Sequence, residues 1–195
     1  MAGGAGSRLG RGEKPLTLVC DRPMISYIID AFRAAGCEPV IAVSQKTPMT
    51  SNWCRAHNTA VVQTGGHGYV EDMIMAVRHL DEERPLFISV ADIPCINPGI
   101  ITTIEKAYHT CRKDALSSWV PAARVFTCRG GMPYHQTING IDSCPAGINI
   151  LRGGAVGQEQ EEYALLLDDP RLALNINTPE DLARTETFLT MQMMR

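Results

Sequence analysis

The residues best suited to chemistry stand at the start of the chain. Gly3-Gly4-Ala5-Gly6-Ser7-Arg8 is followed by Glu13-Lys14-Pro15-Leu16. Glycines accept φ > 0 and let backbone N–H groups approach phosphate oxygens with no Cβ in the way. Arg8 and Lys14 supply the fixed positive charge that a triphosphate needs. Two better-known phosphate loops do not fit. A Walker A loop requires Gly-Lys-Ser/Thr, whereas Lys14 stands between Glu13 and Pro15. A Rossmann fingerprint begun at Gly4 has Leu9 where its third glycine belongs. Glycines alone would read as a loose terminus; Arg8 and the Lys14-Pro15-Leu16 continuation turn the reading toward phosphate.

Three further groups carry polar chemistry. Asp92 follows the apolar run Pro85–Val90, and in open parallel sheets ligands sit beyond the carboxyl ends of strands. A carboxylate there suits Mg²⁺, which binds one or two protein oxygens and bridges them to phosphates; a turn residue before Pro94 is the equal alternative. Asn177, just before the Thr178-Pro179 helix start, offers a second oxygen, although read alone it is first of all a turn residue beside the Thr178 cap. The second glycine loop, Thr64–Gly68, offers Gly65 and Gly68 for backbone contact with a planar base. Glu71 and Asp72 follow it, and a carboxylate there could accept from N1 and N2 of guanine. Those acids could equally complement the positive end of a helix. Gly147 interrupts a strand-like run, which marks a bulge or a close backbone approach, and Asn149 beyond it could bond a hydroxyl. His67 has no Ser or Cys nucleophile to serve.

Positioning these groups calls for alternating strands and helices. The pattern predicts a helix over 23–35, a strand Pro39–Val43, a helix from Thr47-Pro48 and a strand Ala60–Gln63. A helix from about Val70 to Leu80 follows, then a strand Leu86–Val90 and a helix from Asn97-Pro98 to about Cys111. A strand Leu116–Val120 precedes an irregular stretch, 121–143. A β segment Pro145–Leu151, a polar stretch around Gln158–Glu162, a strand Leu172–Ile176 and a last helix complete the chain. This is a Rossmann-like α/β domain, 1–195, with a mostly parallel sheet and helices on both faces. One part is lacking. A central strand should precede the first glycine loop, yet Met1 abuts Ala2-Gly3-Gly4, so the first strand is expected to be truncated, leaving a vacant place in the sheet.

Composition bounds the partners. At net charge −3 over 195 residues no basic field exists to hold nucleic acid. The apolar runs are too short to span a bilayer, and no signal peptide is visible. Seven cysteines stand alone without zinc spacing, as expected for free thiols in a reducing cytoplasm.

The opening resembles the GGxGxR…KP loop of nucleotidyltransferases that include sugar-1-phosphate, molybdopterin and cobinamide members. Gly68-Tyr69-Val70-Glu71-Asp72, Pro145–Ile150 and Leu174–Leu182 resemble segments of the archaeal GTP:adenosylcobinamide-phosphate guanylyltransferases, in the same order, from Met1 to about Leu189. The resemblance implies GTP and a phosphorylated corrinoid as substrates, Mg²⁺ as cofactor, and GMP transfer with release of pyrophosphate; a homodimer is left open. It implies nucleotide binding by Gly3, Gly4, Gly6, Ser7, Gly65, Gly68, Glu71, Asp72, Gly147 and Asn149. Catalysis would rest on Arg8, Lys14 and Asp92, with metal held by Asp92 and Asn177. Arg129, or another base within 121–143, would meet the acceptor. Guanylyl transfer to molybdopterin, nucleotidyl transfer to a sugar phosphate, and a nucleotide-binding module without turnover are the competing functions.

Overall fold

The computed structural model describes residues 1–3, 9–10, 12–125 and 134–194. Gly4, Gly6, Ser7, Arg8 and Arg129 therefore lie outside the described residues.

The apolar stripes read from the sequence become buried faces. Helix α1 (Met24–Ala34) buries Met24, Ile25, Ile28, Ile29 and Phe32, and Gly36 follows it at φ 83°. A two-residue hairpin, β1 (Leu18–Val19) with β2 (Arg22–Pro23), comes just before it. Strand β3 (Val40–Ser44) leads to α2 (Pro48–Ala56) and then to β4 (Ala60–Thr64), paired parallel to β3. Helix α3 (Tyr69–Leu80), strand β5 (Pro85–Ser89) and helix α4 (Pro98–Cys111) complete the first half. Asn97 starts α4 by accepting from the Ile100 N–H at 3.0 Å, the expected cap.

Side chains alternate between the two faces. On β3, Ile41 and Val43 pack with Ile25 and Ile29 of α1, whereas Ala42 and Val40 pack with Ala76 of α3. On β5, Phe87 joins the α1–α4 cluster, whereas Leu86 and Ile88 join Val77 of α3. Helices thus cover both faces, as the apolar strands require.

The second half is more mixed than the pattern implied. β6 (Ala115–Pro121) is followed by a short β7 (Gln136–Ile138) and a twelve-residue β8 (Ile141–Arg152). β8 inserts antiparallel between β5 and β6, with β7 along its outer end. The β7–β8 hairpin turns at Asn139-Gly140, both at positive φ, the residue pair that tight hairpins favour. The expected strand Leu172–Ile176 does not form. Asp169 accepts from the Arg171 N–H and Pro170 lacks one, so Pro170–Ala173 closes a 3-10 turn. Leu172, Leu174 and Ile176 are nonetheless buried, a period of two that mimics a strand without any ladder. The edge beside β6 belongs instead to β9 (Glu162–Leu166), which runs parallel to it. Helix α5 (Pro179–Met193) starts at the expected Thr178-Pro179 and is closed by a capping box between Thr178 and Asp181.

The vacant strand place is present. Among the described residues β3 and β5 share no ladder; their sheets are separate. A cavity of about 530 Å³ lies between them, lined by Ile25, Ile29, Val40, Ala76, Val77 and Phe87 among others. Among the described residues, Met1 and Ala2 enter one end of it. The Ala2 N–H donates to the Ala42 carbonyl at 2.8 Å, and the Met1 amine donates to the Ser89 carbonyl at 2.7 Å. Ala2 packs on the α1 side and Met1 on the α3 side, so these two residues alternate as a strand would.

Candidate active site

Asp92 stands three residues past the carboxyl end of β5. Its backbone is fixed by the Ile176 N–H, which donates to the Asp92 carbonyl at 2.9 Å. That bond brings the Asn175-Ile176-Asn177 segment alongside, and the α5 capping box holds it there. Asp181 Oδ2 accepts from both the Asn177 and Thr178 N–H groups. Lys14 arrives from the other side, on a 3-10 turn (Lys14–Leu16) whose Pro15 is buried.

The three meet closely. Lys14 Nζ donates to Asp92 Oδ2 at 2.5 Å and to Asn177 Oδ1 at 2.8 Å. Asn175 Nδ2 donates to Asp92 Oδ1 at 3.2 Å, and Asn177 Nδ2 to Asn175 Oδ1 at 2.5 Å. Lys14 and Asp92 leave only 17% and 19% of their side chains open, so the pair is partly desolvated and its attraction exceeds that of an exposed pair. Lys14, Asp92 and Asn177, distant in sequence, form one cluster. Asn175 is its fourth member.

An ammonium between a carboxylate and an amide oxygen marks a position that favours a cation. The donors are hard oxygens, the type Mg²⁺ selects, and a magnesium site usually takes only one or two from protein. Asp92 and Asn177 fit that group. Among the described residues no cluster of three or more His, Cys, Asp or Glu forms a metal cage, so the remaining ligands of such a cation would come from substrate phosphates and water.

Gly3 and the second glycine loop both approach Ser44. Its hydroxyl donates to the Gly3 carbonyl at 3.0 Å and accepts from the Lys46 N–H. A Cβ on Gly3 or on Gly66 would come within 3.4 Å of this side chain. Gly66 holds φ 71° and Gly68 φ 148°, and only glycine adopts these readily. A Cβ at Gly65 would strike the His67 ring, and one at Gly68 would stand 2.6 Å from Glu71 Oε2.

The two acids after that loop differ sharply. Asp72 is buried, and its Oδ1 accepts from the Gly66 N–H at 2.8 Å and the His67 N–H at 3.3 Å. It braces the loop from beneath. Glu71 is exposed, its carboxylate beside Gly68. Gly147 sits at φ 81°, a Cβ there would lie 2.6 Å from Val90 Cγ2, and its carbonyl accepts from the Val90 N–H. It lets β8 close on the segment leading to Asp92. Asn149 Oδ1 accepts from the Ser118 N–H at 3.3 Å, a bond within the sheet. The structure thus gives Asp72, Gly147 and Asn149 positions that hold the scaffold. Tyr69 was not anticipated. Desolvation, and then the charge of Asp92, push its phenol above the ordinary value, although 44% of the residue stays open to solvent.

A Rossmann-like α/β sheet, a glycine loop at the end of β4, and a lysine gathered with oxygen donors beyond β5 define a nucleotidyltransferase. The comparisons name the family. Residues 1–137 match the MobA-like NTP transferase domain, and the chain belongs to that family. It is 32% identical over 196 residues to the adenosylcobinamide-phosphate guanylyltransferase of Methanocaldococcus jannaschii, covering 97% of this chain and 95% of that one. Solved structures of low identity share the fold. A hypothetical transferase from Thermus thermophilus has a TM-score of 0.69 at 16% identity, over 93% of this chain and 96% of its own. CMP:2-keto-3-deoxy-manno-octonic acid synthetase complexed with CTP gives 0.69 at 13%, over 95% and 94%. Molybdopterin-guanine dinucleotide biosynthesis protein A from Archaeoglobus fulgidus gives 0.64 at 15%, over 97% and 96%.

Proposed function

We propose that the chain transfers GMP from GTP to adenosylcobinamide phosphate in cobalamin biosynthesis, releasing pyrophosphate. The observation that carries the acceptor is the reach of the M. jannaschii similarity. The family match ends at residue 137, but that relative aligns over 97% of the chain, including Pro145–Ile150 and the segment from Leu174 to Leu182.

The acceptor phosphate needs no general base, because the second pKa of a phosphomonoester is about 6 and its oxygen is anionic at neutral pH. That oxygen attacks the α-phosphorus of GTP in line; the bond to the β-phosphate oxygen breaks, and pyrophosphate leaves with the electron pair. The protein contributes alignment and charge neutralisation. Lys14, already within reach of the Asp92 oxygens, turns its ammonium to the α-phosphate or to the acceptor phosphate. Arg8 is assigned to the departing pyrophosphate, and Gly3, Gly4, Gly6 and Ser7 to binding the nucleotide. Mg²⁺, held by Asp92 and Asn177, would supply positive charge to the phosphates. Glu71 reads guanine N1 and N2 across the Gly65–Gly68 loop that Asp72 braces. No helix among the described residues is long and apolar enough to cross a membrane, and we place the reaction in the cytoplasm.

The test is to incubate the protein with GTP and Mg²⁺ and offer adenosylcobinamide phosphate, molybdopterin and a sugar 1-phosphate separately. Pyrophosphate release only with the corrinoid supports the reading. Release with either of the others assigns the chain a different acceptor, and GTP binding with no release under any of them leaves a nucleotide-binding module.

A further inference from the structure

Helix α2 begins without a cap of its own. Pro48 is its first residue and carries no N–H, and the side chain of Thr47, at the cap position, turns away. Thr47 Oγ1 instead accepts from the Ser44 N–H at 3.1 Å and donates to the Ser44 carbonyl at 3.3 Å, closing the turn after β3. The N–H groups of Met49 and Thr50 are thereby left for a partner from elsewhere. Glu13 is that partner. Its Oε1 accepts from the Met49 N–H at 2.7 Å, and its Oε2 accepts from both the Thr50 N–H and the Thr50 hydroxyl at 2.6 Å. A carboxylate at a helix amino end also meets the positive pole of the helix dipole, and bonds to an ionised acceptor are among the stronger ones.

Glu13 is the residue before Lys14. Its carbonyl accepts from the Leu16 N–H at 3.0 Å and the Lys14 carbonyl from the Thr17 N–H at 3.1 Å. The Lys14–Leu16 turn is therefore held at its root by the side chain of Glu13 and along its length by two backbone bonds. From that root Lys14 reaches Asp92 and Asn177.

We infer that Glu13 is a positioning residue for nucleotidyl transfer: by capping α2 from outside it fixes the root of the Lys14 turn and so the place of the Lys14 ammonium in the phosphate site. It touches no substrate, and the inference rests on Lys14 acting at the phosphates. A solvated glutamate, or one that only stabilises α2, would leave the chemistry of Lys14 unaltered. A positioning residue would not, because misplacing a catalytic group by about 1 Å can cost on the order of 100-fold.

The experiment is a double-mutant cycle on turnover and on GTP affinity, with Glu13→Ala, Glu13→Gln, Lys14→Ala and Glu13→Ala/Lys14→Ala, each assayed below its own melting temperature. The expected result is that Lys14→Ala lowers kcat at least 100-fold and Glu13→Ala lowers it 10-fold or more. Glu13→Gln, which keeps one acceptor oxygen, should fall between Glu13→Ala and the parent. Adding Glu13→Ala to Lys14→Ala should cost less than 3-fold, although both Ala variants at position 13 lose melting temperature alike. An equal loss of kcat in both backgrounds, or no loss in the parent, would overturn the role of Glu13 and leave that of Lys14 standing. Should Lys14→Ala itself turn over normally, with GTP affinity unchanged, the reading of Lys14 fails and the inference with it.

Discussion

Adding five apolar, β-branched residues before Met1 would fill the cavity between β3 and β5. The cavity measures about 530 Å³ and is walled by Ile25, Ile28, Ile29 and Phe32 of α1 on one side and Met73, Ala76, Val77 and Leu80 of α3 on the other. Burying five such side chains contributes about 1.5–3 kcal/mol each, against roughly 1–2 kcal/mol per residue for ordering the backbone. A net gain of about 2–5 kcal/mol remains, and a chain of this size shifts by about 2–4 °C per kcal/mol. The melting temperature should rise by roughly 4–20 °C. A second signature is independent of that figure. Burial pushes the Met1 amine down to about 6 from 8, with Asp92 opposing the shift. The folded value lies below the unfolded one, so the unfolded chain binds the proton first and stability rises with pH through the window from about 6 to 8. Two units correspond to roughly 2–3 kcal/mol. In the extended chain that amine is an amide, and the rise between pH 6 and 8 should vanish. Calorimetry on both chains at pH 6, 7 and 8 reads both effects. An unchanged melting temperature together with an unchanged pH slope would refute a strand place between β3 and β5.

Asp92→Ala should abolish turnover, leave the fold intact, and weaken GTP binding more with Mg²⁺ than with EDTA; equal losses by calorimetric titration would mean that Asp92 does not act through metal. Glu71→Gln should lower the GTP/ATP preference by about 1–3 kcal/mol in relative binding, whereas Asp72→Asn, which loosens the loop, should affect both nucleotides alike. The reverse pattern in competition binding would exchange their roles. Gly147→Ala should cost about 2–4 kcal/mol in urea unfolding, from its φ of 81° and the approach to Val90; a cost under 1 kcal/mol would show that β8 can shift there.

What the sequence discloses, and what it hides, follows from the range of the interactions. Local signals were sufficient for α1, α4 and α5, whose apolar spacing and caps lie within a few residues. They also sufficed for the empty strand place, because a functional glycine loop needs a strand to anchor it. The strand at Leu172–Ile176 misled because burial at every second residue arises equally from a turn and an extended segment that pack against Asp92. β7 is only Gln-Thr-Ile, and β9 begins at the end of the polar stretch Gln158–Glu162, so neither stood out locally; their partners β8 and β6 make them strands. In the site, type and position singled out Lys14, Asp92 and Asn177, and the structure brings the three side chains together. The different surroundings of Glu71 and Asp72 were not legible, because they depend on the direction each carboxylate takes from one helical turn. Glu13 was hidden for a similar reason: Thr47-Pro48 looks like a self-capped helix start, and nothing local shows that the Thr47 hydroxyl is spent on Ser44.

The transfer itself can be followed directly. With GTP labelled at the α-phosphate, Mg²⁺ and adenosylcobinamide phosphate, label should pass stoichiometrically to the corrinoid while unlabelled pyrophosphate is released, and no label should stay on the protein. Label that remains with guanosine nucleotides whatever the corrinoid concentration, or that becomes covalently bound to the chain, would contradict direct guanylyl transfer to this acceptor.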